Sequence, residues 1–344
     1  MENKMKKLLL TTALAAVALS GTSFAEIKIS GNLEESITSL SYDKAAEQID
    51  GSTAIGSEAN VAFSGSKTLT NGLVVSGAIR LENKGSTTGV DQKSFKITSG
   101  NFSTELGIDT GSNIDGNMVA TVGQQAEDVM GGFHTTTGYA TNQSNLKASI
   151  NTMAHDREHI GFEYNAGIAK ISLNYAPSLT ATNGANAVTD AGGSALEYLV
   201  AGSFGVPGLN AKIGRQITGA SNETAAGATG GDKTETLIGA TYTMGKFTVG
   251  YSDRDNDDET TTTEISGVKS ISAGFNVSDN VSIAIERMTV EKDGKTIDEE
   301  GTLLGVSYNM GGLGVEAYYG TVNDMGGVSG SDGKAYQLRT VFAY

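Results

Sequence analysis

Several kinds of residue and segment are missing from this chain. It has no cysteine, no tryptophan and only two prolines among 344 residues. Without cysteine, disulfides, thiolate metal sites and cysteine nucleophiles are excluded. After residue 25, no stretch reaches the roughly 20 apolar residues that a transmembrane helix requires, which excludes helical membrane spans. The three histidines have no supporting Ser–His–Asp arrangement, so the sequence predicts a protein that is not an enzyme.

Positive charge is also scarce. The chain has 24 Lys and Arg residues against 39 Asp and Glu residues, a formal net charge of −15. Proteins that bind nucleic acid need basic surface to neutralise phosphates, and no basic patch with interleaved aromatic residues occurs here. We therefore predict no nucleic-acid partner.

The first 25 residues show the order of regions that is typical of a secretory signal peptide. A basic start, MENKMKK, precedes the apolar run LLLTTALAAVALSG, and Ser23 and Ala25 are small residues before a cleavage site. A buried N-terminal helix is the alternative interpretation. Cleavage after Ala25 leaves a single domain, residues 26–344, with 21 basic and 38 acidic residues and a net charge of −17.

Alternation of apolar and polar residues is the dominant pattern in that domain. LVVSGAIRLE places Leu73, Val75, Ile79 and Leu81 on one face, and LGVEAYYG repeats the pattern near the C-terminus. Period two indicates β-strands. A transmembrane barrel and a soluble β-sandwich both show this alternation, so this pattern alone leaves both architectures open.

The connections favour the barrel, because short and long ones strictly alternate. The short ones are predicted at 70–72, 99–101, 165–167, 205–208, 244–246, 278–280 and 310–312. The long ones are predicted at 43–56, 84–90, 110–156, 176–194, 217–232, 254–264, 291–299 and 323–334. Greek-key crossings in a sandwich would scramble this order, whereas an outer-membrane barrel has short periplasmic turns and long outer loops. The sequence thus predicts an all-β, 16-stranded antiparallel transmembrane β-barrel.

The aromatic residues support the same topology, since most of them fall at predicted strand ends. Aromatic rings prefer the membrane–water boundary and form two girdles on such barrels. At the periplasmic ends we place Phe102, Tyr164, Phe204, Tyr242, Phe247, Phe275, Tyr308, Phe342 and Tyr344. At the outer ends we place Tyr42, Tyr175, Tyr198, Tyr251, Tyr319 and Tyr336.

Four segments, taken in order, carry a resemblance to a known family. They are EIKISGN at residue 26, SGNFSTELGIDTGSNIDGNMVATVGQ, REHIGFEYN and the aromatic C-terminus KAYQLRTVFAY. With them the chain resembles the trimeric, sixteen-stranded general diffusion porins of Gram-negative bacteria, particularly their alphaproteobacterial branch. The resemblance implies a passive, water-filled outer-membrane channel for small hydrophilic solutes and ions. It also implies a homotrimer in contact with membrane lipid and lipopolysaccharide, and a last strand that is read by the barrel-assembly machinery.

The resemblance also implies that the third long loop, about 110–156, folds inward and narrows the pore. Loops of that length are usually functional. Its apolar residues could form one side of a short helix that packs inside the barrel: Met118, Val119, Val122, Ala126, Val129 and Met130.

Alternation then predicts which charged residues line the lumen. Arg80, Lys96 and Arg339 form a basic wall, with Lys28 lower down, although a one-residue bulge would turn Lys96 outward. The inward loop provides an opposite acidic wall of Asp115, Glu127 and Asp128. Further lumen-lining candidates are Glu105, Glu163, Glu197, Glu286 and Glu316. Because this lining is acidic overall, we predict a mild preference for cations.

Two other motifs have residues that can bind metal ions. In HDREH, His155 and His159 enter a strand, where residues four apart lie about 13 Å from each other, so no shared metal ion is expected. His159 should face the lumen. The acidic stretch DRDNDDETTTTE, residues 253–264, has a calcium-like spacing but carries Asp258 where the turn of such a loop needs glycine. We predict a solvated outer loop and no cofactor there, and leave open a divalent cation that bridges to lipid phosphate.

Two alternative functions remain open at this point. The first is a substrate-selective porin, and the second is a plugged barrel with a structural or adhesive role. Single-channel conductance separates them from a general porin, because the current is blocked by one solute in the first and is absent in the second.

Overall fold

Sixteen antiparallel strands make up most of the described chain. The structure is a computed structural model that describes residues 26–43, 52–84, 87–108, 111–114, 118–130, 158–177, 194–219, 232–258 and 265–344. The first eight strands are β1 (Glu26–Asp43), β2 (Ser52–Thr68), β3 (Val74–Lys84), β4 (Thr87–Ser99), β5 (Phe102–Ile108), β6 (His159–Asn165), β7 (Ala169–Ala176) and β8 (Ala195–Gly202).

The second eight are β9 (Leu209–Thr218), β10 (Lys233–Met244), β11 (Phe247–Asp258), β12 (Ile265–Asn276), β13 (Val281–Lys292), β14 (Glu299–Asn309), β15 (Leu313–Asn323) and β16 (Asp332–Ala343). A short helix, α1 (Ala126–Met130), lies between β5 and β6, and a 3-10 helix spans Met325–Gly327. Among the described residues, no helix combines the length and apolar character needed to cross a membrane.

The sheet closes on itself because the last strand pairs with the first. Each strand pairs with its neighbours in sequence, and β16 pairs with β1 from Asn32 opposite Ala343 to Asp43 opposite Asp332. The backbone N–H groups of Gly31 and Tyr344 each donate to the other residue's carbonyl at 3.1 Å. The predicted 16-stranded closed barrel is therefore confirmed.

Three predicted long connections are shorter than expected. Residues 85–86 alone separate β3 from β4, where the sequence predicted a connection of 84–90. The connection predicted at 43–56 ends earlier, because β2 starts at Ser52, and the one predicted at 254–264 begins later, because β11 continues to Asp258. The predictions were wrong because they ended the strands where the sequence becomes polar. A hydrogen-bonded ladder does not need apolar side chains, so it continues beyond the apolar band.

The two faces of the sheet have the polarity of a barrel in lipid. Outward-facing apolar side chains are exposed, as Ile213, Ile271 and Leu338 illustrate, each with about half of its surface accessible. Many buried side chains on the inner face are polar or charged, including Glu197, Gln216 and Glu235. This is the reverse of a soluble domain, and it follows from the alternation of the strands.

Aromatic pairs mark both rims of the outer surface. Phe102 and Tyr164 have ring centroids 4.6 Å apart, and Phe247 and Phe275 are 4.5 Å apart, all at the ends of strands next to short turns. At the opposite rim, Tyr319 and Tyr336 lie 5.0 Å apart. The side chain of Tyr42 is outside the described part of the structure. These pairs occupy the positions that alternation predicted for the two girdles.

We expect Tyr344→Ser, or deletion of residues 341–344, to lower the amount of assembled barrel. Both changes weaken the contact that closes the sheet: the phenol of Tyr344 donates to the Asn60 carbonyl at 3.3 Å and covers Gly31. The measurement is the heat-modifiable barrel band in outer-membrane fractions. Tyr336→Ser is the matched control on the same strand, at the other rim. An undiminished band for both C-terminal variants would contradict the importance of this closure.

Candidate functional site

The candidate site is the barrel lumen together with a chain segment that lies inside it. We call residues 111–114 and 118–130 the inner segment. Its apolar side chains are almost fully buried at Ile114, Met118, Ala120, Val122, Ala126, Val129 and Met130. An apolar segment inside a polar lumen must pack against the wall, and its position there determines the cross-section left for solutes.

Glycines on the inner face of the wall make room for this segment. A Cβ atom built on Gly239 would lie 2.6 Å from Cγ of Met118, and one on Gly250 would lie 2.7 Å from the Met118 carbonyl oxygen. The corresponding distance is 2.7 Å from Gly305 to Cγ2 of Val122. Such contacts are closer than real Cβ atoms allow, so any larger residue at these three positions would displace the segment.

Hydrogen bonds from the wall hold the backbone of the inner segment. The guanidinium of Arg254 donates to the Ile114 carbonyl at 2.6 Å, and Arg254 is itself fully buried in an ion pair with Glu235. The amide of Ala120 donates to the hydroxyl of Ser272 at 2.6 Å. Backbone groups buried away from water need such partners, so these bonds keep the segment on β11 and β12.

The second half of the segment is held in the same way. The phenol of Tyr318 donates to the Val122 carbonyl at 2.6 Å and accepts from the Gln124 amide at 2.9 Å. The amide of Ala126, at the start of α1, donates to the carboxylate of Glu286 at 3.0 Å. Helix α1 then contacts β13–β16. Each of these side chains projects from the inner face of β13 or β15.

The conformation of the segment differs from the predicted one-sided helix. Only residues 126–130 are helical. In the stretch before it, Met118, Ala120 and Val122 are buried while Val119 is only partly buried. This burial has a period of two, and these residues lie against glycines of the wall. The helical interpretation was wrong for residues 118–122 and correct for Ala126, Val129 and Met130.

The inner segment covers only part of the wall. Its start, at Gly111, lies beside Glu105 on β5 and His159 on β6, and its end packs against β13–β16. Of the predicted basic wall, Arg80 lies on β3 and Lys96 on β4, and Lys96 lines the same small pocket as Gly111 and Ser112 at the start of the segment.

All three residues of the predicted basic wall have carboxylate partners. Arg339 pairs with Glu34 on β1 and with Glu316 on β15, the latter at 3.0 Å. Arg80 pairs with Asp91, which is the extra residue of a bulge in β4.

That bulge leaves Lys96 on the inner face. The ammonium of Lys96 lies 4.0 Å from the Glu105 carboxylate and 3.9 Å from that of Glu163. The bulge in β4 therefore does not turn Lys96 toward the outer surface.

The predicted acidic side is described only in part. Asp115 and the side chain of Glu127 are outside the described part of the structure. Asp128 is exposed on α1, where its carboxylate accepts from the Gln125 amide at 3.1 Å. The opposition of this acidic side to the basic wall remains a prediction.

A polar cluster around the start of the inner segment was not predicted. The hydroxyl of Ser112 donates to Glu163 at 2.7 Å. The amide group of Asn174 donates to the Ser112 carbonyl and to Glu197, both at 2.8 Å. The ammonium of Lys170 lies 3.3 Å from Glu163. Alternation could have identified Lys170 and Asn174 as inward-facing, but their contacts depend on where the loop returns to the wall.

The remaining predicted lumen residues are on the inner face. Glu286 is buried against α1, Glu316 lies between Tyr318 and Arg339, and Lys28 is exposed near the start of β1. His159 is buried beside the start of the inner segment, as alternation predicted. His155 and residues 259–264 of the acidic stretch are outside the described ranges. Among the described residues, no group of three or more His, Asp or Glu side chains is placed to hold a metal ion.

The comparisons with known proteins agree with this geometry. A family model described as Gram-negative porin matches residues 11–344. An anion-selective porin from Comamonas acidovorans superposes with a TM-score of 0.66 at 14% identity, over 93% of this chain and 100% of that chain. A loop-deletion mutant of OmpT, an outer-membrane protein of Vibrio cholerae, superposes with a TM-score of 0.58 at 18% identity, over 94% and 100%.

A multiple mutant of the Rh. blastica porin gives a TM-score of 0.58 at 14% identity, over 93% of this chain and 100% of that chain. At these identities the structural similarities show the fold alone. Comparison with curated protein sequences gave no match.

We expect Gly250→Val to lower the single-channel conductance. The added side chain overlaps the backbone of Met118 and Val119, and because the wall is rigidly hydrogen-bonded, the segment must move toward the lumen axis. Overpacking of this kind costs about 1–3 kcal/mol. Gly314→Val is the matched control, since Gly314 lies on the inner face of β15 and its nearest neighbour is 3.8 Å from the added Cβ. Equal conductance of both variants and wild type in planar bilayers would contradict the role of the glycines.

Proposed function

The chain belongs to the Gram-negative porin family, and from this premise we propose that it is a general diffusion channel with a mild preference for cations. As a member of that family it is a non-enzymatic channel of the outer membrane. Small hydrophilic solutes and ions are the proposed cargo. No reaction is involved, so the width and the electric field of the lumen decide what passes.

One observation carries the proposed cation preference: carboxylates outnumber the cations in two charge clusters of the lumen, around Arg339 and around Lys96. Arg339 lies between Glu34 and Glu316. In the other cluster, Lys96 lies near Glu105 and Glu163, and Lys170 lies near Glu163. A third carboxylate, that of Glu197, is linked to Glu163 through hydrogen bonds of Asn174 and Ser112. Excess negative charge in a pore with low-dielectric walls raises the local concentration of cations.

The similar fold of the Comamonas acidovorans porin, which is named anion-selective, supports assigning selectivity to side chains. Two barrels of one architecture can carry opposite lumen charges. Inward-facing side chains can change their charge while the outward-facing side chains, at the positions in between, stay apolar. The proposal for this chain therefore rests on its own lumen charges, within a domain of residues 26–344 whose net charge is −17.

We also propose a constriction between two charged sides. Arg80, Lys96 and Arg339 provide the basic side, and Asp115, Glu127 and Asp128 of the loop provide the acidic side. The position of the inner segment, which crosses the wall from β5 to β16, supports this arrangement because it carries Asp128 inside a barrel whose strands bear Arg80, Lys96 and Arg339. A field across the narrow section would orient water and favour dipolar solutes over apolar ones.

The remaining features of the proposal concern biogenesis and assembly. We propose that residues 1–25 are a signal peptide, that the last strand is recognised by the barrel-assembly machinery, and that three copies associate. The outer surface would contact membrane lipid and lipopolysaccharide. The alphaproteobacterial type of the family is proposed on the sequence resemblance alone.

The first test is the reversal potential in a gradient of KCl. We expect a mild cation preference in dilute salt that weakens as the salt concentration rises, because the Debye length falls from about 30 Å at 0.01 M to about 3 Å at 1 M. A large, ohmic conductance would also exclude the plugged barrel, and block by a single solute would favour a substrate-selective porin. Anion preference in dilute KCl would contradict the proposed selectivity.

The second test compares two double variants that neutralise opposite sides of the constriction. We expect Arg80→Gln with Arg339→Gln to strengthen the cation preference, because Asp91, Glu34 and Glu316 lose their counter-charges. Glu127→Gln with Asp128→Asn should weaken it. Reversal potentials measure both effects.

The matched control is Lys269→Gln with Arg287→Gln, since both side chains lie on the outer surface, in ion pairs with Glu291 and Glu300. It should leave the reversal potential unchanged. If both lumen variants also leave it unchanged, the constriction lies elsewhere in the barrel.

A further inference from the structure

A cavity lies beside the inner segment, on the side of the short turns. It has a volume of about 410 Å³ and is bounded by residues 119–122 of the segment and by residues of β10–β14. Lys246, in the turn between β10 and β11, and Asn276, the last residue of β12, place it near that rim. Small-molecule sites in proteins have volumes of about 300–1,000 Å³, so the cavity has room for a small solute.

The polar side chains of this cavity are mainly hydroxyls. Each of the strands β10–β14 contributes one polar residue that alternation points inward, and the inner segment adds a threonine. We call the cavity the hydroxyl pocket, with the polar residues Thr121, Thr241, Thr248, Asn276, Ser282 and Ser307. The strands are adjacent in the sheet, and Ser282 lies opposite both Asn276 and Ser307 in their registers. The barrel wall therefore gathers these groups in one place.

Two hydrogen bonds fix part of the pocket. The hydroxyl of Ser282 donates to the side-chain oxygen of Asn276 at 2.8 Å. The hydroxyls of Thr243 and Thr248 lie 2.9 Å apart in a second hydrogen bond. A hydroxyl has one donor and two acceptor lone pairs, and the amide of Asn276 has two donors, so these groups can still bond to a solute.

Three further hydroxyls of the pocket, those of Thr121, Thr241 and Ser307, are left for a solute. Within the described part of the chain, no side-chain hydrogen bond engages them. All three residues are partly buried. Buried polar groups are normally hydrogen-bonded, so these hydroxyls must take their partners from water or from a solute in the lumen.

The charge of the pocket differs from that of the two carboxylate-rich clusters. Among the described residues that line it, none is a carboxylate, and the one cation is Lys246, whose ammonium donates to the Val277 carbonyl at 3.1 Å. Glu316 faces Ser307 from β15, but its carboxylate is bound to Arg339. A lining made mainly of neutral hydrogen-bonding groups favours a neutral solute over an ion.

We propose that the hydroxyl pocket binds a neutral, polyhydroxylated solute of monosaccharide size. The hydroxyls of such a solute both donate and accept, as do those of the pocket. Its apolar C–H groups can contact Val119 and Ala120 of the segment, which also line the cavity. Binding must be weak, because a solute that binds tightly does not leave a channel. The inference rests on the proposed diffusion channel and names a class of solute for it.

The test is the KCl current through single channels of the full-length protein as glucose is added to both sides. We expect the current to fall partially and saturably with glucose concentration. A polyethylene glycol of similar size, which lacks the ring of hydroxyls, should give only the linear fall caused by viscosity.

The double variant Thr241→Val with Ser307→Ala removes two of the available hydroxyls with little change of shape. It should raise the half-saturation concentration of glucose by about fivefold or more, the effect expected from the loss of at least one hydrogen bond. Its KCl current without glucose should equal that of wild type, and heat modifiability shows that the barrel is folded. An unchanged half-saturation concentration would overturn the assignment to this pocket.

The matched control is Thr98→Val, which removes a hydroxyl two residues from Lys96 on the inner face of β4, outside the pocket. It should leave the half-saturation concentration unchanged. A wild-type current that falls linearly with glucose, as it does with the polymer, would overturn the inference and leave the diffusion channel standing. Saturation by inorganic phosphate and not by glucose would also overturn it, in favour of an anion held by Lys246. A wild-type protein without KCl conductance would refute the channel on which the inference rests.

Discussion

The structure depends on the hydrogen bonds that join the last strand to the first. A bilayer offers no water to the backbone, so an open sheet edge in the apolar band would leave a row of unpaired N–H and C=O groups. Pairing of β16 with β1 removes both edges at once. The exchange of bonds between Gly31 and Tyr344 completes this ladder at one rim. The reversed polarity of the two faces then follows from strand alternation in a closed sheet.

Closure creates a lumen, and the inner segment makes that lumen asymmetric. The segment is held by two complementary means. Glycines such as Gly239 and Gly250 let it approach the wall, while Arg254, Ser272, Tyr318 and Glu286 bind its backbone or the start of its helix. Neither the glycines nor the hydrogen-bonding side chains would suffice alone. Close packing without those side chains would bury unpaired backbone groups of the segment, and without the glycines the segment could not come close enough to bond with them. Solutes must pass beside this fixed segment.

Charges in the lumen are organised as local networks rather than as isolated rows. Arg339 contacts carboxylates on both neighbouring strands, and Arg80 contacts the bulged residue Asp91. Such pairing limits the positive field that any single cation contributes, since its carboxylate partners oppose it at short range. The net charge of each cluster, more than the position of one arginine, is therefore the quantity expected to set selectivity.

The sequence by itself determined the barrel and the number of strands, because a period of two and alternating turn lengths are local properties of the chain. It also indicated that Ala126, Val129 and Met130 share one buried side of a short helix, α1. It could not determine where β2 and β4 begin and where β11 ends, since ladders extend through polar residues. The non-helical path of residues 118–122, the glycines beneath it and the partners of Arg254 and Asn174 were decided by tertiary structure alone. The contacts of Arg254 with Ile114, of Asn174 with Ser112 and of Gly239 with Met118 join residues more than 50 positions apart, and only closure of the barrel brings them within bonding distance.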